Sequence, residues 1–148
     1  MKRRTLIVTL ALAIAMLPSI QADSHGGGDH VHTALEDQMS AMNKAWRSIR
    51  RQIKDPAKND STLEYVAKVK KAAKKSVELT PILAKEKSGA DKKNFMTGYQ
   101  KMMQKTVDMI GDLEAALKAG DNAKAGEIVG KINDARKKGH EKYKPSDD

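Results

Sequence analysis

From residue 33 onward apolar residues recur every three or four positions, and four such stripes follow one another along the chain. The first is Leu35, Met39, Met42, Trp46, Ile49 and Ile53, spaced 4, 3, 4, 3 and 4, the pattern of a helix with one face in a bundle. Asp55-Pro56 ends it, because the proline ring disfavours helical backbone at the preceding residue. The second helix is expected to start at a capping box, Ser61-Thr62-Leu63-Glu64, and to bury Leu63, Val66, Val69, Ala73, Val77 and Thr80, with Pro81 closing or kinking it. The third follows the turn at Lys87-Ser88-Gly89-Ala90, with Asp91 as cap and a stripe of Phe95, Tyr99, Met102, Thr106, Met109, Leu113 and Ala116. Gly120 has the position of a helix-ending glycine, and Asp121 caps the fourth helix, which runs from about Asn122 to Lys144 before Pro145. That helix carries Ala125, Ile128, Ile132, Ala135, Gly139 and Tyr143 on one face, with Val129, Arg136 and His140 along its border.

Four helices joined by loops of modest length predict an all-α fold, an antiparallel up-down-up-down four-helix bundle over residues 34–144, followed by a charged tail, 145–148. Composition agrees: aromatic residues make up 3 %, and Ala, Lys, Leu, Met and Glu are abundant. The absence of cysteine excludes disulfides, thiolate metal sites and thioether attachment of a haem.

Residues 1–22 read as a secretory signal peptide, with Lys2, Arg3 and Arg4 before an apolar run of 12 residues, Leu6 to Leu17. The run is too short to span a bilayer, which takes about 20 residues, so no membrane anchor remains once it is removed. Export is expected, to the periplasm in a Gram-negative host. Residues 23–33 form a polar, glycine-rich arm with His25, His30 and His32. Cleavage after Ala22 places His25 third from a free amine, a spacing that suits square-planar Cu(II) or Ni(II), although a solvated tail explains the arm as well.

Removing the three leader cations from a formal net charge of +9 leaves +6, enough to steer the chain toward anionic partners. Lys68, Lys70, Lys71, Lys74 and Lys75 lie largely on the outer face of the second helix, a solvated surface or a landing site for an acidic redox partner. Nucleic acid is not an expected partner, because an exported chain without interleaved aromatics lacks stacking platforms.

Candidate chemistry gathers at one end. In an up-down-up-down bundle the start of the first helix, the end of the second at Pro81, the start of the third with Phe95 and Tyr99, and the end of the fourth all meet there. Met39 reads on its own as a core methionine, and His140, the only histidine after His32, as a surface residue or a ligand. An apolar crevice with opposed Met and His side chains fits a haem, whose reduction potential that pair raises. With both axial positions filled, oxygen or peroxide has no coordination site, so electron transfer is expected and enzymatic chemistry is not.

Leu35-Glu36-Asp37-Gln38-Met39 and Arg136-Lys137-Lys138-Gly139-His140-Glu141-Lys142-Tyr143 closely resemble the first- and last-helix motifs of the cytochrome b562 family, a standard example of this topology. Thr80-Pro81 and Lys93-Asn94-Phe95-Met96-Thr97-Gly98-Tyr99 resemble its second-helix end and third-helix start. The resemblance implies that Met39 and His140 are the axial ligands of one haem per chain, with Met42, Pro81, Phe95, Tyr99 and Arg136 near the macrocycle. Tyr143 belongs to the same cofactor-binding set, and Arg136 and Lys144 can offset the two haem carboxylates. Tyr99 stands where the family commonly has Phe, Lys144 where it has Arg, and the third-to-fourth helix region is about one turn longer. The related cytochromes c′ attach haem through Cys-x-x-Cys-His; Arg136 and Gly139 occupy those cysteine positions here, so the haem is expected to be non-covalent, b-type.

Two other readings stay open on sequence. One is a haem-free envelope bundle that binds copper through the His arm and Met96, Met102 and Met103. The other is an interaction protein whose basic face docks on acidic partners or membrane surface. For the cytochrome reading, redox proteins of acidic character are the expected partners, and the chain is expected to be monomeric with at most weak dimerisation.

Overall fold

The computed structural model describes residues 33–145, so the leader, the arm with His25 and the last three residues of the tail lie outside the described residues. Four α-helices follow one another: α1 (Ala34–Gln52), α2 (Asn59–Glu78), α3 (Gly89–Lys118) and α4 (Asn122–Tyr143), with short 3-10 turns at Pro56–Lys58 and Ile82–Glu86. No strand occurs among the described residues, and the predicted all-α bundle is the observed one. Consecutive helices pack closely along their lengths, whereas α1 and α4 approach each other over hardly any of theirs.

Local chemistry fixes most helix ends. Thr33 and Glu36 form a capping box on α1: the Thr33 hydroxyl accepts from Glu36 N at 3.2 Å, and the Glu36 carboxylate accepts from Thr33 N at 2.7 Å. Gly120 ends α3 at φ +73°, a left-handed conformation open to glycine at little cost. Around it Asp121 N donates to Ala116 O and Gly120 N to Leu117 O, using carbonyls the helix cannot pair itself. The Asp121 carboxylate then accepts from Lys124 N at 2.9 Å and opens α4, as expected.

Several expectations are corrected. α2 begins at Asn59, two residues before the anticipated capping box. Asp55 accepts from Ala57 N and, with Pro56, starts a 3-10 turn that runs directly into the helix. Ser61 is thus already helical, and its hydroxyl donates to Lys58 O and Gln52 Oε1. α3 is capped at Ser88, without a side-chain bond, and Asp91 lies in its first turn. The buried face of α3 is Tyr99, Met103, Val107, Ile110, Leu113, Ala116 and Leu117, a stripe displaced by about one residue from the expected one through Met102, Thr106 and Met109, which are only half-buried. Both sets are apolar enough to pack, and the placement of the neighbouring helices decides between them. Thr80 lies beyond the end of α2 and is exposed, and Val129 is buried where Ala135 is half-buried. Lys70 is drawn out of the expected solvated cluster by an ion pair with Glu114 at 2.7 Å.

The bundle is tightest away from the start of α1. Ile49, Val66, Leu113 and Ala125 are fully buried there, each larger aliphatic side chain contributing about 1.5–3 kcal/mol. A polar clasp closes that end: Asn122 Nδ2 donates to Ile53 O and Asn59 Oδ1, both at 2.9 Å, while Asn59 Nδ2 donates to Asn122 Oδ1 at 3.1 Å and Leu117 O at 3.4 Å. Four segments are joined through two side chains.

Asn122→Ala should destabilise the fold by roughly 1–3 kcal/mol, the cost of stripping partners from part-buried amide and carbonyl groups, as read by urea unfolding. Glu114 provides a pH test. Hydrogen bonds from Lys118 and Lys70 hold its carboxyl at about 2, below the usual 4.5. Its contribution is present above the unfolded-state value and is lost as pH falls through that window. Glu114→Gln should therefore flatten the acid limb of the stability curve while costing no more than about 1 kcal/mol at pH 7.

Candidate functional site

Midway along the loose seam between α1 and α4, away from the asparagine clasp, Trp46 Nε1 donates to Asn133 Oδ1 at 2.9 Å. This bond shows which faces of the two helices oppose each other. Met39 lies seven residues before Trp46 and His140 seven residues after Asn133. Seven residues are two helical turns less about 20°, or about 10 Å of rise. Because α1 and α4 run in opposite directions, both steps lead toward the same end of the bundle, and Met39 and His140 return to the two opposed faces there.

The cover on the apolar stripes changes along this seam. On α1, Trp46 and Ile49 are buried, whereas Leu35, Met39 and Met42, nearer the helix start, are only half-buried. On α4, Arg136 and His140 are exposed on the border facing α1, while Gly139 and Tyr143 are buried. The stripe of α1 thus continues past the point where the bundle covers it. Unfilled apolar surface between a methionine and a histidine is what a flat apolar macrocycle requires, and the residues present fit one.

The back of this end is aromatic. Phe95 and Tyr99 stand one turn apart on α3, and Tyr143 meets both edge-on, with ring centroids 5.0 Å and 5.5 Å away. Tyr99 is buried and its hydroxyl donates to Ser76 O near the end of α2 at 2.7 Å. Burial pushes that phenol up to about 12. Pro81, also buried, caps the second 3-10 turn next to the end of α2. Phe95 is half-buried, with the Lys87 ammonium 5.0 Å from its ring centroid.

Two sets of predicted residues emerge. Met39 and Met42 stand half-buried on α1 and Arg136 and His140 exposed on α4, on the two sides of the seam, and Pro81, Phe95, Tyr99 and Tyr143 belong to the wall built from α2, α3 and the end of α4. Lys144 lies just beyond α4 and is exposed. Of the methionines weighed for copper, Met103 is packed in the core and the Met102 methyl lies against Gly139, so neither stands open with Met96 as a thioether cluster. Among the described residues no group of three or more His, Cys, Asp or Glu side chains is arranged to hold a bare metal ion. A hollow of about 410 Å³ lined by Glu86, Lys87, Ser88, Asp91, Asn94 and Phe95 lies at the α3 start; it shares only Phe95 with the predicted site and is mostly polar.

Sequence periodicity did not single out Trp46 and Asn133 as a bridge or Ser76 O as the partner of Tyr99, because each is a pairing between helices. Only a buried aromatic donor that must find an acceptor signalled them.

The family model for cytochrome b562 matches residues 34–144, from the first residue of α1 to one past the end of α4. The chain belongs to the cytochrome b562 family. No curated protein and no solved structure matches it. Membership makes it a haem-binding helical bundle.

Tyr99→Phe should keep the aromatic wall and lose only the bond to Ser76 O, costing roughly 0.5–1.5 kcal/mol. Because the folded-state phenol titrates above the unfolded one, the parent protein should lose stability as pH rises from about 10 to about 12. The variant should lack that part of the alkaline limb, which circular-dichroism melts against pH can measure.

Proposed function

We propose that the chain is a periplasmic electron-transfer protein, not an enzyme, that carries one non-covalent b-type haem with Met39 and His140 as its axial ligands. The observation that supports this most directly is the Trp46–Asn133 register, which brings the two side chains to opposed faces of the seam.

When bound, the haem supplies a one-electron iron couple. His140 would offer an imidazole nitrogen and Met39 a thioether that cannot be protonated, a combination that would favour reduced iron. Met42 and Phe95 present apolar surface that keeps water from the seam. Tyr99 keeps its ring in the aromatic wall, because its hydroxyl is committed to the α2 backbone; this is how a tyrosine serves where the family commonly has Phe. Arg136 stands one turn before His140 on the open border, and Lys144 just past the helix end; both offer cations to the two haem carboxylates.

Electron exchange with acidic redox proteins follows from the mature charge and from the exposed lysines 68, 71, 74 and 75. None of the described helices is long and apolar enough to cross a membrane. Export rests on the leader at residues 1–22.

Purified protein mixed with hemin should bind one equivalent and give sharp α and β bands on reduction. Met39→Ala and His140→Ala should each abolish the low-spin spectrum while leaving helix content unchanged. Arg136→Ala should weaken hemin binding roughly tenfold, the scale of one charge-assisted bond of about 1.5 kcal/mol. A protein that takes up no hemin, or variants that keep the parent spectrum, would refute the ligand assignment.

A further inference from the structure

Tyr143 is the last residue of α4, and helix ends ordinarily fray. Here it is buried, with only 8 % of its surface exposed. Its ring is wedged edge-on against Phe95 and Tyr99, and its hydroxyl lies over Gly98 of α3, 2.7 Å from where a Cβ would stand. Gly98 is helical with an ordinary φ, so its backbone conformation does not demand glycine. Glycine within a helix costs about 0.5–1 kcal/mol relative to alanine, and the notch for Tyr143 is what the missing side chain provides.

A second contact flanks the same turn. A Cβ on Gly139 would meet the Met102 methyl at 2.8 Å. The two notches differ in stiffness. The Met102 methyl is the end of an unbranched side chain with three rotatable bonds and can swing aside. The Tyr143 hydroxyl sits on a rigid ring held by two other rings and has no comparable escape. Between the two contacts lies His140, whose carbonyl accepts the closing bond of the helix from Lys144 N at 3.1 Å.

We propose that Tyr143, seated in the Gly98 notch, is a positioning residue for His140: it holds the last turn of α4 on α3 and thereby fixes where the imidazole stands in the α1–α4 seam. The role assigned to Tyr143 is mechanical, through α4, since its ring is already occupied by Phe95 and Tyr99. The inference rests on His140 being an axial ligand.

The test uses Gly98→Ala, Tyr143→Leu and Gly139→Ala in the full chain, with Ile110→Val as a destabilised control within α3 but away from this end. In haem-free protein, amide hydrogen exchange over the last turn of α4 should quicken about tenfold or more in Gly98→Ala and Tyr143→Leu. It should change little in Gly139→Ala and in the control. In hemin-loaded protein the first two variants should show a mixture of low-spin and high-spin ferric spectra, and added imidazole should restore the low-spin form. Unchanged exchange in both variants overturns the clamp. Faster exchange with a parent-like ferric spectrum overturns the positioning role while leaving the haem assignment intact. A parent protein that takes up no hemin overturns the assignment itself, and the positioning role with it.

Discussion

The hydrogen bond from Trp46 to Asn133 sets the register of the open half of the bundle, because α1 and α4 approach each other closely over little of their length. An indole that is nearly buried must place its N–H on an acceptor, or it forfeits the water it left behind. Asn133 supplies that acceptor from a part-buried position on the border of α4. Together with the Asn122 bond to Ile53 O at the closed end, this satisfied donor fixes the rotation and the level of two helices that approach each other over little of their length. The register of every residue two turns further along the seam follows from it.

Such a seam is affordable because the opposite end is closed twice over. Aliphatic side chains fill its interior, and the Asn59–Asn122 pair joins the end of α1, the start of α2, the end of α3 and the start of α4. At the open end the helices are held differently. α1 is capped by its own Thr33–Glu36 box, α2 and α3 are joined by Tyr99 and Ser76 O, and α4 rests on α3 through Tyr143. All of these bonds run within a helix or across the α2–α3–α4 side.

Much of this was legible in the chain. The α1 stripe was read correctly from Leu35 to Ile53, since alternating steps of 4 and 3 with a terminal Asp-Pro admit few other structures. Gly120 and Asp121 marked the α3–α4 turn because a left-handed carbonyl-capping position and a side-chain cap each need a particular residue type. The α3 face was harder to read. Met102 and Met103, or Met109 and Ile110, are adjacent apolar pairs, and a single sequence cannot say which member faces inward until the neighbouring helices are placed. The α2 start was missed for a related reason: Ser61 and Glu64 match a capping box, yet the Asp55–Pro56 turn had already begun the helix, and local patterns do not reveal which of two competing starts prevails. For the site, residue types and topology brought the candidate residues to one end of the bundle, and the family match spans residues 34–144. The seam bond and the Gly98 notch were not readable, because each pairs residues more than 40 positions apart.

The half-covered residues Leu35, Met39 and Met42 can now be understood as part of a core that protein atoms alone do not finish. In a bundle without a cofactor, such a stripe would be closed by drawing α1 and α4 together, and the seam would shorten. Here the stripe is half-covered at the start of α1, while it is buried near Trp46 and Ile49. On the reading proposed above a haem would fill that gap, and its binding would favour only the folded chain. Stabilisation grows with ligand excess, reaching about 2.7 kcal/mol at a hundredfold excess over the dissociation constant. The haem-free protein must stand on its closed end, its α1 cap and its α2–α3–α4 side alone, which is why those regions carry the asparagine clasp, the capping box and the aromatic wedge. Folding and cofactor binding therefore draw on separate parts of one bundle, coupled through the placement of α1 against α4.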